Sequence, residues 1–134
     1  MRILVVDDDT VISEVLAVML KRSGFEVALA EDGVKAIEIW EKGDFDLILL
    51  DVQMPFMDGF ETTRAIRAKE VVMGGHTIIV AITAFALHND KVKCLEAGMD
   101  AYVSKPVNIA KLIELIRELG QRNNEPTLRN VSVR

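Results

Sequence analysis

The sequence predicts an α/β domain, a doubly wound, five-stranded parallel sheet in the order 2-1-3-4-5 with five helices. Five short apolar runs alternate with stretches of helical periodicity along the chain. Three of these runs are nearly continuous in Ile, Leu and Val, which is typical of strands covered by helices on both faces. A length of 134 residues with 50% hydrophobic content suits one domain with a single core.

The strands are expected at the five apolar runs. The second run carries Glu26 and two alanines, so it is expected to be half exposed, and the fifth run is short. Both are therefore expected at the edges of the sheet, with the first, third and fourth runs in its centre. In chain order the runs are Ile3 to Val6, Phe25 to Ala30, Phe45 to Leu50, Ile78 to Ile82, and Ala101 to Val103.

Five glycines are expected to close the helices, because a glycine just past a helix can adopt the left-handed conformation. They are Gly24, Gly43, Gly74, Gly98 and Gly120. The helical pattern stops at the last of these, Gly120. Residues 1–120 are therefore predicted to form the folded domain and residues 121–134 a polar tail or linker.

The first and last helices each show apolar residues at the i, i+3, i+4, i+7 spacing of one buried face. The first is expected to begin near Asp9-Thr10 and the last at Asn108. The predicted buried sets are Ile12, Val15, Leu16 and Met19 in the first helix, and Ile109, Leu112, Ile113 and Ile116 in the last.

Composition excludes several classes of protein. A net charge of -5 and a pI near 5.0 argue against direct nucleic-acid binding. Cys94 is the only cysteine, which rules out an internal disulfide and fits a reducing compartment. The longest apolar run, Ile78 to Leu87, is too short to span a membrane. The chain also opens on a strand rather than a secretory peptide, so the expectation is a cytoplasmic domain without membrane insertion.

Polar residues follow four of the predicted strands. Strand one ends in Asp7-Asp8-Asp9, strand three in Asp51, strand four in Thr83 and strand five in Ser104-Lys105. In a sheet of this kind, ligands bind beyond the carboxyl ends of the strands, at the point where the strand order reverses. That point lies between strands one and three, so Asp7 and Asp8 are expected beside Asp51.

Converging carboxylates repel one another unless a cation is present, and oxygen ligands suit Mg²⁺. A carboxylate, Mg²⁺, the Lys105 ammonium and the Thr83 hydroxyl together indicate a phosphoryl-transfer site. Any one of these residues has a simpler explanation, since an acid after a strand is usually a helix cap and a lone lysine is usually a solvated surface residue. Asp9 is expected to be such a cap. Their joint placement on four strand ends favours the site.

Four motifs resemble the receiver domains of two-component response regulators, which have a chemotaxis-regulator-like (flavodoxin-like) fold. The resemblance runs from Arg2 to about Leu119, and the four motifs occur in the family's order. The segment from Cys94 to Pro106 resembles receivers of hybrid histidine kinases and phosphorelays. The motifs are Ile3-Leu-Val-Val-Asp-Asp-Asp9, Asp51-Val-Gln-Met-Pro-Phe-Met-Asp-Gly59, Ile82-Thr-Ala84 and Lys105-Pro106.

The resemblance implies that Asp51 is phosphorylated by a phosphohistidine on a histidine kinase or histidine phosphotransfer protein. It also implies that Asp8, Asp51 and the backbone carbonyl of Gln53 ligate Mg²⁺ directly, while Asp7 acts through a bound water. Lys105 would pair with the phosphoryl group.

Further roles follow from the same resemblance. Thr83 and Tyr102 would be a switch pair, and the Lys105-Pro106 bond is expected to be cis. The surface of the fourth helix, fifth strand and fifth helix would signal to a downstream protein target, and thin packing of the fourth helix suits an element that shifts. Side chains at Gln53 and Phe85 could crowd an attacking water, so slow dephosphorylation is expected.

The main alternative is a phosphatase of the haloacid dehalogenase type, in which Asp7 would be the nucleophile and Thr83 and Lys105 the later motifs. That family needs a further acidic pair on another strand end, which the sequence does not offer, and Asp51 would have no role. A receiver that only docks without being phosphorylated would be expected to lack one of the acids or the lysine. A nucleotide-binding fold is disfavoured because no glycine-rich loop follows the first strand.

Overall fold

The computed structural model describes residues 1–84 and 88–122, without the side chains of residues 88–90 and 122. Five strands form one parallel sheet in the order β2-β1-β3-β4-β5, which confirms the predicted topology. The strands are β1 (Arg2–Val6), β2 (Glu26–Ala30), β3 (Leu47–Asp51), β4 (Ile78–Thr83) and β5 (Ala101–Ser104). The helices are α1 (Thr10–Arg22), α2 (Gly33–Lys42), α3 (Gly59–Met73), α4 (His88–Ala97) and α5 (Ile109–Arg122).

Alternate residues of the central strands point to opposite faces of the sheet, so the sheet has a core on each side. On one face, residues such as Val5, Leu49 and Val80 pack against α1 and α5. On the other, residues such as Leu4 and Ile48 pack against side chains of α2, α3 and α4. Both faces of β1, β3 and β4 are therefore covered, as their continuous apolar runs predicted.

Aspartates begin three of the helices. Asp9 caps α1 as predicted, and its side chain accepts hydrogen bonds from the N–H groups of Val11 and Ile12 at 3.0 and 3.2 Å. Asp58 caps α3 and forms a reciprocal capping box with Glu61. Such caps satisfy otherwise unpaired N–H groups at a helix start and contribute about 1 kcal/mol each. They hold the helix starts at the carboxyl edge of the sheet.

The predicted buried face of α1 was largely wrong. Ile12, Val15 and Met19 are 39%, 53% and 37% exposed, and of the predicted set only Leu16 is buried. The helix instead turns Ser13, Leu16, Ala17 and Leu20 towards the sheet. Small side chains at two of these positions let the helix lie close to the sheet. Because α1 is apolar on more than one face, periodicity alone did not identify the buried one.

Three of the five predicted helix-closing glycines have left-handed backbones, Gly24, Gly74 and Gly98. Gly43 follows α2 with an extended backbone, φ -114°. The prediction for Gly120 was wrong, since α5 continues to Arg122 and passes two residues beyond the predicted domain boundary. Gly120 lies within the helix, and a Cβ there would meet only the end of the flexible, exposed Met1 side chain.

In α5, Leu112 and Ile116 are buried as predicted, and Leu115 and Leu119 are buried beside them. Ile109 and Ile113 are only partly buried against the same core. Cys94 of α4 is 1% exposed and packs in the second core, as expected. Within residues 1–84 and 88–122, no helix has the length and apolar character needed to cross a membrane.

Candidate functional site

The carboxyl ends of β1 and β3 bring three acids together. Val6 pairs with Leu50 in the parallel ladder, so the residues that follow them, Asp7 and Asp51, emerge side by side. Carboxylate oxygens of Asp7, Asp8 and Asp51 all lie within 4.8 Å of one another. The sequence prediction that these three residues converge at the reversal of strand order is therefore matched by the geometry.

Asp7 is buried, with 2% of its surface exposed. Its Oδ1 accepts a hydrogen bond from the Asp9 N–H at 2.8 Å. Its Oδ2 is buried and has no hydrogen-bond partner among the described residues. Burial raises the pKa of Asp7 from 3.8 to about 6, and the nearby charges of Asp51 and Asp8 act in the same direction. An orphaned buried carboxylate oxygen is costly, so it marks a position where a cation would be bound.

Asp51 is also buried, at 3% exposure. Its Oδ1 accepts the Gln53 N–H at 3.1 Å, and its Oδ2 lies 3.5 Å from the Lys105 ammonium. Burial raises the pKa of Asp51, and the Gln53 N–H and Lys105 oppose that rise. Asp51 and Asp7 both lie near the other acids of the group, but only Asp51 has the Lys105 ammonium beside it among the described residues.

The Lys105-Pro106 peptide bond is cis, as expected. The Lys105 N–H donates to the Thr83 carbonyl at 2.8 Å, so the end of β5 is tied to the end of β4 and the Lys105 side chain reaches Asp51. Thr83 and Tyr102, the predicted switch pair, are 3% and 7% exposed. Lys91 of α4 lies over the Tyr102 ring, 5.5 Å from its centroid. Movement of this pair stays a prediction.

Two other predicted features have different outcomes. Gln53 is exposed and donates its N–H to Asp51, while its carbonyl as a metal ligand stays a prediction. Phe85, invoked for slow dephosphorylation, lies outside the described residues.

The loop between β3 and α3 packs closely against the end of β3. The Gly59 N–H donates to the Val52 carbonyl at 2.9 Å. A Cβ on Gly59 would lie 2.8 Å from the Asp51 carbonyl oxygen, closer than real Cβ atoms approach. Only glycine allows the first turn of α3 to lie this close to the end of β3. The glycine of the motif therefore has a steric reason, and the aspartate before it caps α3.

The donor set fits Mg²⁺. Three carboxylates supply hard oxygen ligands, one of them has an orphaned buried oxygen, and one is exposed to solvent, where the ion would keep its waters. No cysteine or histidine lies in this group of three, so the site does not favour a soft transition metal.

Sequence reasoning missed an apolar surface beside this site. A groove of about 610 Å³ runs between α1 and the residues after β5, and apolar side chains line nearly all of it. Val11 and Val15 of α1 are 69% and 53% exposed along it, and Lys105 and Pro106 border it on the other side. The signal was present in the sequence, since α1 has more apolar residues than one buried face needs. We call this surface the α1 groove.

The sheet order, with three acids and a lysine at the carboxyl edge, defines a doubly wound α/β domain whose candidate site lies where the strand order reverses. A model of the response regulator receiver domain family matches residues 3–117. The chain therefore belongs to the response regulator receiver domain family. It is a phosphoacceptor switch domain of two-component and phosphorelay signalling.

Curated relatives are longer proteins. The chain is 40% identical over 120 residues to hybrid signal transduction histidine kinase I of Dictyostelium discoideum, covering 86% of this chain and 7% of the kinase. It is 38% identical over 133 residues to the sensor protein GacS of Pseudomonas syringae pv. syringae, covering 96% of this chain and 15% of GacS. The chain thus spans less than a sixth of the length of these relatives.

Solved structures agree on the fold. Chemotaxis protein CheY4 of Vibrio cholerae superposes with a TM-score of 0.81 at 31% identity, over 87% of this chain and 96% of that chain. A chain in the co-crystal structure of the Saccharomyces cerevisiae histidine phosphotransfer signaling protein Ypd1 with the receiver domain of its downstream response regulator Ssk1 gives a TM-score of 0.85 at 33% identity. That match covers 91% of this chain and 90% of the other. The phosphatase alternative is not supported, because the whole-domain match is to receivers.

Proposed function

We propose that Asp51 is the phosphoacceptor and that it takes a phosphoryl group from a phosphohistidine. A carboxylate oxygen of Asp51 forms the new O–P bond, the P–N bond to the histidine breaks, and the released imidazole keeps the bonding electrons and takes up a proton. The contact that carries this proposal is the 3.5 Å approach of the Lys105 ammonium to Asp51 Oδ2. Asp7 has no comparable contact with a cation among the described residues.

The other site residues hold charge around the reacting oxygen. Asp8 and Asp51 with the Gln53 carbonyl would ligate Mg²⁺ directly, and Asp7 would hold it through a water. When bound, Mg²⁺ would neutralise the acids and the charge on the phosphoryl oxygens. Lys105 would pair with a phosphoryl oxygen.

Asp51 must be ionised to act as a nucleophile, yet burial raises its pKa. Lys105 and the Gln53 N–H both favour the ionised form, so these two groups keep the carboxylate ready to react. We therefore expect the loss of the Lys105 charge to slow phosphorylation even when a small donor is used.

The α1 groove is the surface that we propose for the donor. Lys105 contacts Asp51 and also borders the groove, so a protein seated on α1 lies next to the reacting carboxylate. The exposed apolar side chains of α1 suit a protein surface rather than solvent. In support, the solved neighbour at TM-score 0.85 comes from a complex with a histidine phosphotransfer protein. A histidine kinase or a histidine phosphotransfer protein would carry the phosphohistidine.

The output surface is proposed to be α4, β5 and α5. Val92 and Leu95 on α4 are 38% and 42% exposed, so little apolar area holds this helix down and a shift costs little. The Thr83 hydroxyl would turn towards the phosphoryl group, and the Tyr102 ring behind it would change the surface seen by a downstream protein. We propose no turnover of an external substrate, no direct nucleic-acid contact, and a cytoplasmic location.

The test is to incubate the protein with acetyl phosphate and Mg²⁺ and to follow its mass. A base-labile phosphoryl adduct is expected in the unsubstituted protein and in none of the Asp51→Asn protein. Thr77→Val is a matched control, because Thr77 lies at the opposite edge of the sheet, before β4, and it should be phosphorylated normally. An adduct that persists in Asp51→Asn and disappears in Asp7→Asn would contradict the proposal.

A further inference from the structure

Phe56, in the loop that carries Asp51 towards α3, combines two unfavourable features. Its side chain is fully exposed, at 101% of the reference area. Its backbone is left-handed, with φ 69°, and it is the only described non-glycine residue with a positive φ. A bulky side chain strains that conformation, which glycine or asparagine would adopt more easily. Neither the exposure nor the backbone of Phe56 stabilises the folded domain.

The rest of the loop holds Phe56 in place. Met54 is buried at 9% exposure, and the Met57 N–H donates to the Pro55 carbonyl at 2.8 Å. The Gly59 N–H fixes the end of the loop on Val52. The inward packing of Met54, the hydrogen bond that spans Phe56 and the anchored end of the loop leave the Phe56 ring exposed to solvent. An exposed aromatic ring on a fixed backbone is pre-organised for contact, since little freedom is lost when it binds.

We infer that Phe56 is a contact residue for the protein that delivers the phosphoryl group, and that it anchors that protein over Asp51. The inference rests on the proposed function and extends it to a second contact, on the β3–α3 loop. The occupant follows from position, because Phe56 is five residues after Asp51, in the short loop that begins where β3 ends at Asp51. A protein that brings its histidine within bonding distance of Asp51 must approach this loop. Strain kept at a site of this kind points to function.

The experiment compares a protein donor with a small one. Phosphoramidate is a small donor with a P–N bond and no docking surface. Phosphorylated Ypd1, the phosphotransfer protein named in the solved complex, carries the same kind of bond on a protein surface that can dock. Phe56→Gly removes the ring and the strain together, while Phe56→Asn removes the ring and keeps a residue that tolerates the backbone. Val72→Ser is the control, because Val72 is 88% exposed near the other end of α3.

Both Phe56 variants should raise the concentration of phosphorylated Ypd1 that gives half-maximal phosphorylation by roughly tenfold, with the limiting rate of transfer little changed, as expected for an aromatic contact residue. Their rates with phosphoramidate should equal that of the unsubstituted protein, and Val72→Ser should match it with both donors. Phe56→Gly should also unfold at a higher temperature, since the strain is relieved.

An unchanged half-saturating concentration of phosphorylated Ypd1 in both variants would overturn the inference, as would failure of the unsubstituted protein to accept a phosphoryl group from Ypd1 at any concentration. A change confined to self-association, measured by sedimentation, would assign Phe56 to a contact between copies of the chain and would also overturn it. The proposed function fails separately, if phosphoramidate leaves Asp51 unmodified.

Discussion

Two groups of buried acids lie at opposite edges of the sheet, and their surroundings differ. At the carboxyl edge, Asp51 pairs with Lys105, whereas an oxygen of the neighbouring Asp7 is unpaired among the described residues. At the amino edge, Arg67 forms ion pairs with Glu70 at 2.6 Å and with Asp100 at 2.8 Å. The β4 strand separates the two edges by roughly 17 Å.

The amino-edge group is closed by backbone and side-chain hydrogen bonds. The second oxygen of Glu70 accepts the Thr77 N–H at 2.6 Å, and Asp100 accepts the Ile79 N–H at 2.8 Å. Arg67 also donates to the Gly98 carbonyl at 2.9 Å. Every carboxylate here has a cation and a donor, so this group holds α3 to the starts of β4 and β5. The comparison indicates that the fully paired acids of the amino edge stabilise the fold, whereas the incompletely paired acids of the carboxyl edge are available to a ligand.

The largest effect is expected from Arg67→Met, which keeps the apolar stem and removes the charge. Glu70 and Asp100 would remain buried, at 7% and 4% side-chain exposure, without their cation. Breaking such a pair costs about 3–5 kcal/mol. Urea denaturation should show this loss in the free energy of unfolding.

The matched control is Lys69→Met, two residues along the same helix. Lys69 pairs with Glu41 at 2.9 Å, but both side chains are about 40% exposed, so the expected loss is below about 1 kcal/mol. Equal losses in the two variants would show that the amino-edge group is no more structural than a surface ion pair.

The sequence predicted the carboxyl edge and not the amino edge, for a physical reason. Acids that directly follow apolar strands must meet at one edge of a parallel sheet, so Asp7, Asp8 and Asp51 could be grouped without a structure. Arg67, Glu70 and Asp100 come from a helix and a turn, and each one alone reads as a surface residue. His76 is exposed and borders this group as well, with Nε2 2.7 Å from Asp100 Oδ1.

The sheet order was predictable because continuous apolar strands must be central. The rotation of α1 was not, because Ile12 and Val15 have the same apolar character and spacing as residues that face a core. They line the α1 groove, the surface proposed for the donor, and a pattern of apolar residues does not distinguish such a surface from a buried face. The same holds for Phe56, whose left-handed backbone leaves no sign in the sequence.

The second prediction concerns Asp7→Asn in the absence of metal, with EDTA present. The pKa of Asp7 is raised to about 6 in the folded protein from 3.8, so the folded state holds this proton more tightly than the unfolded chain. The contribution of Asp7 to the free energy of unfolding is therefore greatest below about pH 4. It falls by roughly 3 kcal/mol as pH rises from about 4 to about 6.

Asparagine carries no charge, so this fall should be absent. Asp7→Asn should be more stable than the unsubstituted protein by about 1–3 kcal/mol at pH 8, since the amide adds its own buried donors. Denaturation in EDTA at pH 4 and pH 8 measures the difference. Asp8→Asn, at an exposed position, is the control with little expected change. A less stable Asp7→Asn protein at pH 8 would show that the unpaired Asp7 carboxylate does not lower the stability of the folded domain.

A third prediction concerns Mg²⁺ and the same unpaired charge. Since the ion would bind the folded site and not the unfolded chain, Mg²⁺ at ten times its dissociation constant should add about 1.4 kcal/mol. Thermal unfolding should show the gain, and Asp8→Asn should weaken it. A gain that survives both Asp8→Asn and Asp51→Asn would place the ion elsewhere.

The smallest expected effect is at Trp40, the only tryptophan. It lies on α2 at 7% exposure, and its Nε1–H donates to Thr77 Oγ1 at 2.8 Å, which places it with the amino-edge group. If the two edges are independent, adding Mg²⁺ or acetyl phosphate should leave its fluorescence unchanged, whereas Thr77→Val should alter the emission because the hydrogen bond is lost. Quenching of Trp40 fluorescence by Mg²⁺ would mean that ion binding at the carboxyl edge changes the structure at the amino edge. The amino-edge group would then respond to the site as well as stabilise the fold.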